Sequence, residues 1–479
     1  MPPSPVGEGW GEGNPMLNRR QFLSFSAASG ASLALSACYK APNHPVPASQ
    51  SAQGHYIWQN WAGSEYAYPS KRLAPSTLEE LKTVLANSTA PIRCVGAGHS
   101  FNAQCATDGT LLALDSFSGL ISHDAQQYTA TVKAGTRLQQ LGQLLEQVGQ
   151  DMVNIPDINK QTLAGAIATG THGSGYALPA LHGRVQSFRL VTAQGQELNC
   201  SASENAEIYH AALVGLGSFG VVTEYTLENW PLAHTERQVT MLPVEQLFAE
   251  WPDLYQKNRN AEFFYIPFTG LAMKVLHNQT DKAVTPRGED KDMDSLMDLK
   301  KLRDYVSWSP SLRRRIAQMV ADNHGTEYAV DYGWKLLASE RSVRFHEMEY
   351  HLPLDAQIAA LKEVIEVIEK QRSDVFFPIE ARVIKGDECA WLSPFYQQDT
   401  GSIAVHAYYE DDYQFLYSLI EPIFKRYGGR PHWGKMHSLA DKDFALLYPQ
   451  WQQVKAIRQQ LDPQNKFVNN YTKKIWGLA

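Results

Sequence analysis

The chain has 479 residues and a net charge of −7, with 44% hydrophobic and 19% charged residues, the composition of an ordinary globular protein rather than a disordered or fibrous one. This length exceeds the size at which a single core usually stops growing, so two or more domains are expected. With no basic tract to meet a phosphate backbone, nucleic acid is excluded as a partner.

Residues 1–15 have neither a basic end nor an apolar period, so Met16 reads as the true start. Residues 18–38, NRRQFLSFSAASGASLALSAC, join a twin arginine to a short, serine-rich apolar stretch and Cys38. This is the anatomy of a twin-arginine secretory signal, and the apolar run is too short to span a bilayer. LSAC resembles the bacterial lipobox, which implies acylation of Cys38 and an exported, lipid-anchored protein on the periplasmic or outer face; a plain cleaved signal is the other reading. Because twin-arginine export carries folded proteins, the leader itself predicts a cofactor. Residues 39–55 read as a Pro/Ser/Ala tether. The remaining Cys94, Cys105, Cys200 and Cys389 show no CxxC pair or zinc spacing, so they read as buried thiols and no metal site is expected.

Beyond the tether, TLEELKTVL (77–85) has helical apolar spacing with Ser76 as its cap. A strand at 92–95 runs into Gly96 and Gly98. Strands TLLALD and TATVKAG, the helix TRLQQLGQLLEQVG, a small-residue stretch at 160–175, and strands VQSFRLVTAQGQ and GVVTEYTLEN follow. Near Trp230 the composition changes. EFFYIPFT, RFHEMEYHLP, FFPIEARVI and SIAVHAYY read as strands, with DAQIAALKEVIEVIEKQ as a helix between them. The fold class is therefore α+β in two parts, the second a sheet that roofs the first.

Two motifs are decoys. GLGSFG (215–220) matches G-x-G-x-x-G, but a β-rich run follows it where a dinucleotide fingerprint needs a helix. His346 and His351 stand five apart, about 140° from one another on a helix, whereas zinc-protease histidines stand four apart. What remains is three glycine clusters, at Gly96/Gly98, Gly165–Gly175 and Gly215–Gly220, whose backbone N–H groups can approach a diphosphate unobstructed.

IRCVGAGHSFN, LAGAIATGTHGSG and GSFGVVTEYTLE, in this order, resemble the FAD-binding domain of the vanillyl-alcohol-oxidase type. EFFYIPFT, EMEYHLP, IEAR, RPHWGK and LDPQNKFVNNY are similar to the aldonolactone oxidase family, which includes gulonolactone, arabinonolactone and alditol oxidases. The resemblance spans Trp58 to Tyr471 and implies an FAD-binding domain at 56–232 and a substrate domain at 233–479 whose tail returns to the first. It implies flavin contacts at Gly96, Ala97, Gly98, His99, Ser100, Pro156, Gly165, Ala168, Thr169, Gly170, His172, Gly173, Ser174, Gly217, Gly220, Val221 and Lys435. In covalent members the histidine of GHS is bonded to the flavin, so His99 would be the anchor, raising the flavin potential.

The implied reaction oxidises the CH–OH group of a sugar lactone or polyol by hydride transfer to flavin N5. Glu380 and Arg382 stand two apart on a strand and so share a face, and the resemblance adds Lys435. Arg382 and Lys435 are assigned to negative charge on substrate and flavin, with Glu380 binding a substrate hydroxyl. Lys435 is the alternative base if its neighbours depress its pKa. Asp157, His406 and His432 are expected substrate contacts. Oxidases of the family tend to carry glycine or proline where Pro156 stands and dehydrogenases alanine, so the resemblance implies oxygen as acceptor; a dehydrogenase passing electrons to a cytochrome or quinone, and a noncatalytic flavin- or carbohydrate-binding lipoprotein, are the competing readings.

Overall fold

The structure is a computed structural model, described here for residues 47–89, 91–321 and 326–478. The leader, Cys38 and the tether up to residue 46 lie outside the described residues. From residue 47 onward the tether is not free chain: Tyr68 donates to the Ala48 carbonyl (2.9 Å), and Ile57 N–H donates to Ser49 O (2.9 Å).

Helix Leu78–Asn87 buries Leu81 and Leu85 as its spacing predicts. Its cap is Thr77 rather than Ser76. Thr77 Oγ1 accepts from Glu80 N–H (3.2 Å), while Ser76 donates to the Glu80 carboxylate (2.9 Å). Strand Ile92–Val95 pairs in parallel with Thr110–Ala113, which pairs with Lys71–Leu73 on its other side. A five-stranded antiparallel sheet runs in the order Glu197–Ser201, Val185–Val191, Val221–Glu228, Thr129–Lys133, Leu120–Asp124. Strand Val221–Glu228 directly follows GLGSFG, which removes the Rossmann reading on structural grounds.

Strands after residue 233 form an eight-stranded antiparallel sheet. Its central members are Asn260–Ile266, Ile379–Ile384, Thr400–Tyr408 and Phe345–Pro353, in that spatial order. Period-two alternation gives this sheet two unlike faces. Phe263, Ala381, Ile403, Val405, Met348 and Tyr350 are buried on one. There Trp251, from helix Val244–Lys257, meets Phe263 edge-on at 4.7 Å.

Cross-strand register defines the other face. Glu262 pairs with Arg382, Arg382 with Ser402, and Ser402 with His351. One step along, Phe264 pairs with Glu380, Glu380 with Ala404, and Ala404 with Glu349. Glu347 lies opposite His406. The chain end returns to the first half, where Ile92 N–H donates to Lys466 O (2.6 Å) and Asn469 donates to Ala106 O (2.7 Å). Among the described residues no helix is long and apolar enough to cross a membrane. Cys94, Cys105, Cys200 and Cys389 are free, but only Cys200 is fully buried; the other three are half-buried, because they edge the interior rather than fill it.

Candidate active site

A cleft of ≈ 1120 Å³, open solvent at its mouth included, runs between the parallel strands and the five-stranded sheet. Gly96, Ala97, Gly98, His99 and Ser100 line it. So do Gly165, Ala168 and Thr169, and Gly217, Gly220 and Val221. Glycine is required at two of these positions. A Cβ on Gly96 would stand 2.2 Å from Thr162 Oγ1; at Gly220, with φ +151°, it would stand 2.5 Å from the Val191 carbonyl. The wall is thus backbone, which suits the close approach of a diphosphate.

One buried charge braces this wall. Arg93 donates to the carbonyls of Gln104 (2.6 Å), Leu216 (2.7 Å) and Gly217 (3.1 Å), and to that of Phe467. Hydrogen-bonded to carbonyls rather than to a carboxylate among the described residues, its cation adds positive potential to the cleft it lines. A glycine wall and a buried cation are the donor chemistry that the diphosphate of FAD needs, so the residues present suit that group.

His99 stacks on Trp61 (5.1 Å between ring centres, planes at 27°). Burial, then the charges of Lys435 and Arg137, bring its pKa down to about 4, which leaves a neutral imidazole with a free lone pair at neutral pH. Two residues on, the Phe101 ring lies 4.8 Å from Lys435 Nζ. Asn102 donates to the carbonyls of Trp433 and Lys435, both at 2.8 Å, fixing the HWGK loop to the GHSFN loop.

Pro156, Gly170, His172, Gly173, Ser174 and Lys435 do not line the cleft. Gly170 faces Pro394 (3.1 Å to its would-be Cβ). The others lead from the cleft to the charged sheet face. Asn260 donates to Ser174 O (2.5 Å), Gly175 N–H donates to Val383 O (2.6 Å), and His172 Nε2 lies 3.1 Å from Glu349. Pro156 is buried beside Asp157, whose carboxylate accepts from Arg341 (2.7 Å) and lies 3.7 Å from Arg382.

Arg382 is the hub of the face. It donates to Glu349 (2.9 Å) and its Nε lies 3.2 Å from Glu380. That Glu380 oxygen is buried without a hydrogen-bond partner. Lys435 donates to Glu347, and His406 Nε2 is 3.6 Å from the other Glu347 oxygen. His406 also donates through Nδ1 to Pro378 O (3.0 Å). His432 is turned inward: its Nδ1 accepts from Gly434 N–H (2.9 Å), and burial holds its pKa down to about 3. Donor atoms of His172, Glu349 and His432 lie within 4.8 Å of one another, a spacing that a metal could bridge. The Glu349 oxygen facing His172 is nevertheless already engaged by Arg382 and Ser402, so the group reads as an ion-pair hub.

Environment sorts the carboxyls. Burial pushes Glu380 well above the usual range, and Asp157, Glu262 and Glu349 add to this against the pull of Arg382. Against the same burial penalty, Arg382 and His172 hold Glu349 well below, and Lys435 with His406 brings Glu347 to about 2. Burial takes Glu262 up to about 7. Sequence reasoning missed Arg93, Glu262, Arg341, Glu347, Glu349 and Ser402. The signal was available for the glutamate pair: EME has the same two-residue spacing that pointed to Glu380 and Arg382.

Residues 225–475 match the family model described as D-arabinono-1,4-lactone oxidase, and residues 69–201 match that of an FAD binding domain. The chain is 33% identical over 432 residues to an L-gulono-1,4-lactone dehydrogenase of Mycobacterium tuberculosis, covering 88% of this chain and 99% of that protein. It is 27% identical over 431 residues to an alditol oxidase of a Streptomyces species, covering 87% of this chain and 98% of that one. Cholesterol oxidase from B. sterolicum shares the fold, with a TM-score of 0.72 at 14% identity over 90% of this chain and 99% of the other. The expected two-part α+β flavoprotein fold is borne out.

Proposed function

The chain belongs to the D-arabinono-1,4-lactone oxidase family, and from that premise we propose that it is an FAD enzyme oxidising a CH–OH carbon of a sugar-derived lactone or polyol, with oxygen as electron acceptor. The observation that carries this reading is the charged face itself. Register brings Glu380 and Arg382 beside Glu262 and Glu349, and Lys435 joins them from the loop tied to GHSFN.

When bound, FAD supplies the hydride acceptor and passes the electrons on. The chain's own groups bind and polarise the substrate. Arg382 and Lys435 present fixed positive charge to the substrate oxygen as its proton leaves, so the developing negative charge needs no solvent reorganisation. Glu380, whose carboxyl burial pushes toward its protonated form, offers a hydrogen bond to a second substrate hydroxyl. Glu262 is the general base. Of these carboxyls it is the one tuned near neutrality, with a pKa of about 7, and it stands directly across from Arg382. Lys435 acts as a cation rather than a base, since it donates to the ionised Glu347. Asp157 and His406 border the substrate space, one bridging Arg341 and Arg382 and the other beside Glu347.

The neutral imidazole of His99, at the end of the glycine wall, supports a covalent flavin bond there. Acid precipitation tests this directly: colour is expected to stay with the wild-type pellet and to leave it in His99→Ala. Export by the twin-arginine route with a lipid anchor at Cys38 belongs to the same reading, and Cys38→Ser is expected to move the enzyme from the membrane to the soluble fraction.

The 33%-identical relative is named a dehydrogenase, which favours a second reading in which electrons pass to a membrane acceptor. An oxygen electrode run against dye reduction, with a panel of aldonolactones and alditols, decides between them. Substrate-dependent oxygen uptake matching dye reduction supports the oxidase; dye reduction without oxygen uptake overturns it.

A further inference from the structure

Strand Phe345–Pro353 contributes two carboxylates that the proposed chemistry does not touch directly. Glu347 and Glu349 stand two apart, both buried, and each reaches a different cation. Glu349 accepts from Arg382 (2.9 Å) through the oxygen that faces His172 (3.1 Å) and also receives the Ser402 hydroxyl. Glu347 accepts from Lys435 through one oxygen and lies 3.6 Å from His406 through the other. Backbone bonds reinforce both pairings: Met436 N–H donates to Glu347 O and His432 N–H to Glu349 O, each at 3.0 Å, so the HWGK loop is laced to this strand.

We propose that Glu347 and Glu349 are separate positioning residues, Glu347 for Lys435 and Glu349 for Arg382, so that the two cations of the active site are aimed by different carboxylates and can be disabled independently. The assignment rests on the proposed reaction. Its logic is geometric: Lys435 and Arg382 sit on long, rotamer-rich stems, and a cation that must meet a transient negative charge gains most when its direction is fixed beforehand. Glu349 has the additional reach of His172, which joins the sheet to the loop bearing Gly173 and Ser174. Arg382 keeps the Asp157 carboxylate nearby when Glu349 is neutralised, so its charge is not left wholly without compensation.

The test is a pair of double-mutant cycles on the holoenzyme, with flavin content and melting temperature checked for every variant. Glu347→Gln and Glu349→Gln are each expected to lower kcat about ten- to a hundred-fold, a fraction of what removing a preorganised donor costs, with a smaller change in KM. Set on Lys435→Met, Glu347→Gln is expected to add less than about three-fold, because its partner is already gone; the same holds for Glu349→Gln on Arg382→Met. The bound flavin's reduction potential, which needs no substrate, should fall in both single variants and not fall further in the doubles. Should Glu349→Gln fail to fold, Glu349→Asp replaces it and is expected to recover part of the activity.

Full additivity in either cycle, or an unchanged flavin potential in both single variants, overturns the assignment. If no lactone or polyol is oxidised, the substrate reading fails, while the potentials still decide whether the glutamates act through their cations.

Discussion

The cleft and the charged sheet face adjoin near His99 and Lys435, yet they are made of opposite materials. The cleft is backbone: glycines open it, and its principal buried cation, Arg93, is spent on carbonyls. The face is side chain, with Glu262, Glu347, Glu349, Glu380, Arg382 and Ser402 brought from four strands by register. One region holds by shape, so its residues cannot grow; the other works by charge, so its residues are set by the partners each one faces.

The sharpest way to break this contrast is Arg382→Met, expected to lower kcat by about 10²–10³ while flavin content stays unchanged. Loss of flavin along with activity would erase the distinction between the two regions. The converse change is Gly220→Val. With φ +151° and Val191 O only 2.5 Å from the new Cβ, it should cost about 1–3 kcal/mol in strain alone, read as a lower melting temperature and lost flavin. Catalysis per bound flavin should hardly change.

A pH profile sharpens the same comparison on the face. As Glu262 loses its proton through about pH 7, kcat/KM is expected to rise, and in Glu262→Gln that limb should disappear at a reduced plateau. The smallest effect concerns stability. Glu347 has a folded pKa of about 2 against an ordinary value of 4.5, so the folded state gains from its ionised form above about pH 4.5. That gain is lost as the pH falls toward 2. Wild type should therefore lose melting temperature across this window more steeply than Glu347→Gln.

The same contrast explains what the sequence disclosed. A backbone cradle needs its glycines in contiguous runs, so GAGHS, GAIATGTHGSG and GLGSFG were legible as one device. Gly170 and Gly173 were swept in by their run, although Gly170 turns to Pro394 and Gly173 packs against Ile155. The charged face is non-local. Glu380 and Arg382 were legible because one strand carries both. Glu262 lies 120 residues from its cross-strand partner Arg382, and Arg341 meets Asp157 across 184. No spacing rule reaches such pairs. His432 looked like a substrate contact from its motif, but the tight turn at Gly434 takes its Nδ1. Ser76 lost the helix cap to Thr77 by one residue, a margin at which two hydroxyls compete on geometry alone.

The measurement that bears most directly on the account is anaerobic mixing of the purified flavoprotein with aldonolactones and alditols, following the yellow flavin absorbance in a single turnover. At least one of these compounds is expected to bleach wild type rapidly, and Arg382→Met, carrying the same flavin, is expected to bleach at least about a hundred times more slowly. Bleaching by dithionite but by none of the sugar derivatives, or equal rates in the two proteins, would contradict it.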